Sequence, residues 1–372
     1  MTKPTVRCLT VDLRMYQHSG IGRYLRNLFP QLLPLLEADR IRILSRRELL
    51  GETAWLQDGR VELVEEPARV YSVAEQILRL KGVYRQTSVL WVPHYNVPLY
   101  YGGPTVVTIH DVAPLAMPEI LGNSLKRAYA KLLIARAVKQ AAAILCVSEF
   151  TARELRERLS VPAEKITVTY PGLDMGWPKM AIPHVEANGV PYVLCVGNVK
   201  PNKNLGFLLR TFAGIRESVP YRLVLAGKMR GFGTEDLAVI RQAEEMGDRV
   251  RFTEEISDDE LISLYAGASA LCLPSLYEGF GLPLLEAMQL GCPVLCSTAG
   301  SLPEIAGDAA LYFDPRSEAE LAKRLLQVED SAAMDELRRA GRVRVEQFSF
   351  ARCAEQTARV LNRTMAEGCR PE

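Results

Sequence analysis

Tyr192-Val-Leu-Cys-Val-Gly197 is a continuous apolar run that ends in a glycine. Asn198-Val-Lys-Pro-Asn-Lys-Asn-Leu205 follows it and leads into Leu205–Arg216, where apolar positions recur three and four apart. A strand covered on both faces shows no polar alternation, and a terminal glycine lets the chain turn tightly into a helix. The segment therefore reads as the opening βα unit of a Rossmann-like domain. It comes directly after Tyr170–Gly189, a stretch of little periodicity carrying Pro171, Gly172, Gly176, Pro178, Pro183 and Gly189. One α/β domain is expected to end, and a second to begin, near residue 180.

The same grammar extends in both directions. Val6–Leu13, Thr105–Ile109 and Ala142–Val147 read as strands on the N-terminal side, and Leu223–Ala226, Ala270–Leu273 and Val294–Cys296 on the C-terminal side. Helical patterns lie between them, including Ser124–Gln140 and Ser317–Gln327, the latter opened by a capping-box pattern of Ser317 and Glu320. Phe348–Leu361 reads as a terminal amphipathic helix. At 372 residues the chain exceeds what one core organises comfortably. The expected fold is α/β, two Rossmann-like doubly wound domains: 1–180, 181–347, and a helical segment 348–372.

Composition narrows the setting. Apolar residues make up 48% and charged residues 24%, as in ordinary globular proteins. Met1–Leu13 lacks the cationic and apolar regions of a secretory signal, and no run of about 18 apolar residues is present, so a cytoplasmic location is expected. Cys8, Cys146, Cys195, Cys272 and Cys296 fall in apolar runs, where reduced cysteine behaves as a small hydrophobe. Cys292 and Cys296 have neither a second pair nor a nearby His, so no zinc site is expected. The net charge of +1 hides an asymmetry: residues 1–180 hold 24 Lys+Arg against 17 Asp+Glu, and the remainder 21 against 27. Either the first half faces something anionic, or the surface charge is simply uneven.

Ligands of open α/β sheets bind beyond the carboxyl ends of the strands, which directs attention to four clusters. In Leu273-Pro-Ser-Leu-Tyr-Glu-Gly-Phe-Gly-Leu-Pro-Leu-Leu-Glu286, a strand ends, a flexible Gly279/Gly281 turn follows, and Pro283 sits where a helix can start. Backbone N–H groups there suit a diphosphate, and Glu278 and Glu286 suit paired sugar hydroxyls. Alternatively Glu286 steadies the helix start and Glu278 is solvated. In Gly197–Leu205, Lys200 and Lys203 can neutralise a diphosphate, with Asn204 as an N-cap, or both lysines are solvated. In His18-Ser-Gly-Ile-Gly-Arg-Tyr24, Gly20 and Gly22 allow close backbone approach at a helix start, as they do in many tight turns. His110-Asp111 directly follows a strand, either as a sugar contact or as a structural pair.

Together the clusters resemble the family-four retaining glycosyltransferases of the GT-B fold. The likeness runs from Gly20-Ile-Gly-Arg-Tyr through Ile109-His-Asp, Val147-Ser-Glu-Phe-Thr, Tyr170-Pro-Gly-Leu-Asp and Pro201-Asn-Lys-Asn. It ends on the Glu278/Glu286 pair and Gly300-Ser-Leu-Pro-Glu-Ile-Ala-Gly-Asp-Ala-Ala-Leu-Tyr-Phe-Asp-Pro. The resemblance implies an interdomain cleft and a C-terminal helix that crosses back onto the N-terminal, acceptor-binding domain. It implies that Glu278 meets the transferred sugar with the backbone of Gly279, Phe280 and Gly281, and that Leu282 and Lys203 meet the diphosphate. Glu286 would hold the ribose, the run from Phe252 to Ile256 the base, and Gly20, with Gly22 in the same loop, the phosphates. His110 would sit near the reacting sugar. Many relatives carry an arginine where this chain has Asn198, and some carry one at Asn202, which leaves Lys200 as the available substitute cation.

The implied reaction is retaining and metal-independent transfer from a nucleotide-sugar donor, GDP-mannose first, to a glycan or lipid-linked acceptor. No Asp-x-Asp triplet of the metal-dependent transferases sits in a strand-end loop, and no cofactor is expected. A UDP- or TDP-sugar transferase, a sugar-nucleotide epimerase and an inactive nucleotide-sugar-binding relative are the alternatives. A dinucleotide oxidoreductase is excluded because no Gly-x-Gly-x-x-Gly follows a strand with an acid about 20 residues on. Nucleic acid is excluded because the basic residues lack interleaved aromatics. Ser124–Gln140 carries Lys126, Arg127, Lys131, Arg136 and Lys139 with no acid, beside Leu125, Tyr129, Leu132, Leu133 and Ala137. With Arg79, Lys81 and Arg85 it forms a surface able to rest peripherally on an anionic membrane, or the helix has one buried and one solvated face.

Overall fold

The computed structural model describes residues 6–68, 70, 72, 81–121, 123–173, 176–178, 189–228, 237–253 and 256–368. The chain forms two compact α/β units: 1–112 with 128–172 and 349–372, and 113–127 with 173–348. The expected boundary at 180/181 lies outside the described residues.

The first unit is a sheet of seven strands: β1 (Cys8–Asp12), β2 (Arg40–Ser45), β3 (Val61–Glu65), β4 (Val89–Val92), β5 (Thr105–Ile109), β6 (Ala143–Cys146) and β7 (Ile166–Val168). All pairs are parallel, in the order β3-β2-β1-β4-β5-β6-β7. Leu9 of β1 lies opposite Ile41 on one side and Val89 on the other. The order reverses between β1 and β4, so the ends of these two strands frame this unit's crevice. Helix Phe350–Gly368 buries Phe350, Cys353, Ala354, Thr357, Ala358, Leu361 and Met365, a stripe with helical spacing, and packs on helix Ser19–Leu32. This terminal helix is therefore part of the first unit's core.

The second unit holds β8 (Tyr192–Val196), β9 (Arg222–Ala226), β10 (Val250–Thr253), β11 (Ala270–Leu273), β12 (Val294–Ser297) and β13 (Leu311–Phe313). They are parallel in the order β10-β9-β8-β11-β12-β13, and the reversal falls between β8 and β11. Leu194, Leu223, Leu271 and Leu295 are fully buried at the sheet centre; each such side chain contributes about 1.5–3 kcal/mol. The continuous runs read as strands are strands. Most of those not read as such carry polar interruptions, as in Arg40-Ile-Arg-Ile-Leu-Ser45, or span only three residues, as in β7 and β13; β4, Val89-Leu-Trp-Val92, is a four-residue apolar run that the reading passed over.

Two capping expectations are corrected. Ser317 Oγ accepts the Glu320 N–H, but the Glu320 carboxylate reaches the Asp314 N–H instead of closing a box on Ser317. The closed capping box is at Ser257 and Glu260, opening helix Asp258–Gly267. Asn204 precedes helix Leu205–Ile215 in a left-handed conformation, φ 57°, and makes no side-chain cap. No helix among the described residues is long and apolar enough to cross a membrane. All seven described cysteines are buried free thiols, and burial raises their pKa values, that of Cys195 to about 12.

Candidate active site

The second unit's crevice is built by two loops that leave β8 and β11. Gly197 ends β8, and a Cβ there would come within 3.1 Å of the Lys203 chain; glycine leaves room for that chain to cross the strand end. Lys203 Nζ meets Glu278 Oε1 at 2.6 Å, and Ser275 Oγ donates to the same oxygen at 2.6 Å. The two charged side chains are 19% and 14% exposed, sheltered but reachable. Asn202 ties the loops together: its carbonyl accepts the Leu276 N–H at 2.8 Å, and its carboxamide donates to the Tyr277 carbonyl at 3.2 Å. The Asn204 carboxamide donates to the carbonyls of Pro274 and Pro315 at 3.1 and 2.9 Å, which accounts for the missing cap.

Glu278 is also clamped through its backbone. Its carbonyl accepts both the N–H and the hydroxyl of Ser301 at 3.1 Å. Gly300 stands at φ 66°, where a Cβ would lie 2.6 Å from the Glu278 carbonyl oxygen, so only glycine permits this approach. Gly281 takes φ 96° at the N-cap of helix Leu282–Gln289, with Pro283 in its first turn, and the Phe280 carbonyl accepts the Ser301 hydroxyl at 2.9 Å. Leu282 thus opens an eight-residue helix; Pro283 has no N–H and the Leu284 N–H goes to the Gly281 carbonyl at 2.9 Å, which leaves the Leu282 N–H as the first-turn donor without an intrahelical carbonyl.

Glu286 lies beyond that first turn, so it does not serve the helix start. Its carboxylate is 3% exposed, and Oε2 accepts the Tyr265 hydroxyl at 2.7 Å. Asn198 directs its carboxamide oxygen to the Lys228 N–H at 3.1 Å, a tie between the loops after β8 and β9. The Lys200 carbonyl accepts the Lys203 N–H at 2.9 Å and shapes the turn. Beside the end of β10, Arg251, Thr253, Ile256, Asp259, Glu260, Ser263 and Leu264 line a cavity of about 270 Å³. Phe252 instead packs its ring on the core, and the two residues between Thr253 and Ile256 lie outside the described residues.

The first unit's crevice is of another kind. Asp12, at the end of β1, receives Arg14 Nε on Oδ1 at 2.9 Å and Arg14 Nη2 on Oδ2 at 2.5 Å. His94 Nε2, just after β4, stands 3.5 Å from the same Oδ2, and all three side chains are buried. Burial pushes the Asp12 carboxyl up, but the Arg14 guanidinium and the His94 imidazole together outweigh it and hold the group well below the usual carboxylate range. His110 follows β5. Its Nε2–H donates to the Pro93 carbonyl at 3.0 Å, and the Tyr24 ring packs against it edge-on at 4.8 Å. Desolvation lowers its pKa to about 4, so the imidazole is neutral near pH 7. Gly20 has open space around it, whereas a Cβ on Gly22 would strike the Tyr16 carbonyl at 2.4 Å; Gly20 alone is free for close approach.

The sequence reading missed Ser275, Ser301, Tyr265, Asp12, Arg14 and His94. Ser275, three residues before Glu278 in a strand-end loop, was detectable by position; the Tyr265–Glu286 and Ser301–Glu278 contacts join residues more than 20 apart and have no local signature.

Family models for glycosyltransferase family 4 and for group 1 glycosyl transferases match residues 19–177 and 179–344. The chain is 28% identical to O-antigen chain mannosyltransferase B of Escherichia coli, over 92% of this chain and 95% of that protein. Sucrose-phosphate synthase of Thermosynechococcus elongatus superposes with a TM-score of 0.75 at 18% identity, over 97% of this chain and all of that one. Anabaena HepE in complex with UDP and glucose superposes at 0.69 and 18% identity, over 97% and 98%.

Proposed function

We propose that this chain, which has the GT-B fold and belongs to the group 1, family-four glycosyltransferases, retains anomeric configuration as it transfers a sugar from a nucleoside-diphosphate donor. GDP-mannose is the first candidate, and a glycan or lipid-linked acceptor in surface-polysaccharide or glycoconjugate assembly is the recipient, in line with the mannosyltransferase name of the E. coli relative. The observation that carries this reading is the Lys203–Glu278 pair at the β8/β11 reversal, beside the start of helix Leu282–Gln289.

In this reading residues 181–347 hold the donor and 1–180 the acceptor. Lys203 and the Leu282 N–H bind the diphosphate, Glu286 the ribose, and the run from Phe252 to Ile256, beside the cavity lined by Thr253 and Ile256, the base. Glu278, with the backbone of Gly279, Phe280 and Gly281, holds hydroxyls of the transferred sugar. Lys203 then shares its charge between Glu278 and the phosphates. When the bond from the anomeric carbon to the phosphate oxygen breaks, its electron pair stays on that oxygen, where Lys203 and the helix dipole stabilise it. The acceptor hydroxyl bonds to the anomeric carbon on the same face, and its proton passes to the departing phosphate oxygen. Glu278 is already engaged by Lys203 and Ser275 and is not cast as a covalent nucleophile. Neutral His110, its Nε2–H committed to Pro93, accepts a sugar hydroxyl at Nδ1. The fixed cation and dipole do the work of a metal, so transfer proceeds in EDTA. NMR of the product formed from GDP-mannose tests the account: an α-linked product supports it, and a β-linked product overturns it.

The acceptor side of the proposal is a peripheral contact with the anionic inner leaflet of the cytoplasmic membrane. Within helix Ser124–Gln140 the expected single apolar side divides in two. Leu133, Ile134, Ala137 and Val138 are buried, while Leu125 (77% exposed), Tyr129 and Leu132 (58% exposed) form a second stripe in solvent near Lys131. Arg136 is turned to the Leu99 carbonyl, Lys126 has no described side chain, and Arg79 lies outside the described residues. An apolar stripe with adjacent lysine fits a headgroup boundary. Co-sedimentation with phosphatidylglycerol vesicles that weakens in salt supports this; equal binding to neutral vesicles, or none, removes it.

A further inference from the structure

Tyr265 is fully buried, and its hydroxyl donates to Glu286 Oε2 at 2.7 Å. Its ring lies edge-on to buried Trp177, centroids 6.0 Å apart and planes at 71°, so neither ring can swing without repacking the other. A carboxylate as buried as Glu286 is costly unless hydrogen-bonded, and the phenol meets that need while fixing the plane of the carboxylate. A carboxylate offers about four acceptor sites, and the phenol O–H occupies one of them. Tyr265 belongs to helix Asp258–Gly267, which also supplies Asp259, Glu260, Ser263 and Leu264 to the wall of the 270 Å³ cavity. On the wall of that cavity the buried Thr253 hydroxyl has no hydrogen-bond partner among the described residues, which marks the cavity as a place for a polar ligand group.

We propose that Tyr265 is a positioning residue: held by Trp177, it orients Glu286 toward the ribose diol of the donor, and its helix sets the distance from that diol to the base cavity. The proposal rests on the reading of Glu286 as the ribose-binding carboxylate, and the test separates the two. Dissociation constants of GDP and 2′,3′-dideoxy-GDP are measured by calorimetry, with UDP and ADP and their dideoxy forms in parallel. Wild-type protein should prefer the ribose form of its nucleotide by roughly tenfold or more. Tyr265→Phe keeps the ring and removes the hydroxyl; it should weaken the ribose form about three- to tenfold and leave the dideoxy form unchanged. In a Glu286→Gln background the same change should have no further effect on the ratio. Equal weakening of both forms by Tyr265→Phe, or of neither, overturns the positioning role. A wild-type protein that binds both forms alike overturns the role of Glu286 itself. Trp177→Phe, which retains the phenol, gives a second route if Tyr265→Phe does not fold: a smaller loss of the same ratio supports the proposal, and an unchanged ratio contradicts it.

Discussion

The two units repeat one sheet order, yet their crevices hold opposite kinds of ion pair. At the β1/β4 reversal, Arg14 grips Asp12 with two parallel bonds, His94 stands close by, and all are buried. At the β8/β11 reversal, Lys203 makes a single contact with Glu278, and both remain partly open. A forked guanidinium fixes a carboxylate in one geometry, whereas an ammonium on a flexible chain is a point charge that can change partners. Two Rossmann-like sheets thus offer the same address at their strand ends. The difference lies in whether the charge there is locked into the fold or left available to a ligand.

Truncating the arginine and the lysine in turn tests that difference most severely. Arg14→Ala leaves Asp12 buried and uncompensated and should cost about 3–5 kcal/mol of stability, read by urea unfolding. Lys203→Ala, which leaves the less buried carboxylate reachable by water, should cost less stability than Arg14→Ala but lower turnover about 10²–10³-fold. A Lys203→Ala protein that unfolds like Arg14→Ala would erase the contrast. Gly300→Ala forces a Cβ against the Glu278 backbone at a positive φ, so it should cost about 1–3 kcal/mol and weaken nucleotide binding together; a change in stability alone would detach Glu278 from the site.

A subtler sharpening comes from pH. His110 has its pKa lowered from 6.5 to about 4, so between these values the unfolded chain takes up a proton that the folded chain does not. Its contribution is full above pH 6.5 and is lost as pH falls toward 4. Thermal melts should therefore show His110→Gln with a shallower decline across that window than wild type; an identical slope contradicts a neutral imidazole with a lowered pKa. The smallest effect is expected from Leu132→Ser, a severalfold loss of binding to anionic vesicles with no change in transfer to a water-soluble acceptor.

Much of this was legible in the sequence, for stated reasons. β8 and β11 are unbroken apolar runs because both of their faces are covered, and Gly197 and Pro274 mark where they stop. β2 escaped because Arg42 interrupts it. That arginine is buried, with its guanidinium bonded to Glu62, the Val83 carbonyl and Gln86, a compensation that no local pattern announces. The Glu278 and Lys203 clusters were visible as strand-end loops, but their contact joins residues 75 apart. Asn198, Asn202 and Asn204 read as ligand or cap positions. Folded, each uses its carboxamide on a neighbouring backbone group and so shapes the loop in which Lys203 sits.

In the proposed function the open pair of the second unit is a nucleotide diphosphate site. Calorimetric titration of GDP, UDP, TDP and ADP into wild-type and Lys203→Ala protein, without added metal, tests it most directly. The account predicts that one nucleotide binds preferentially and that Lys203→Ala weakens it at least tenfold while costing less stability than Arg14→Ala. No binding by any of the four, or equal affinity in both proteins, would contradict it.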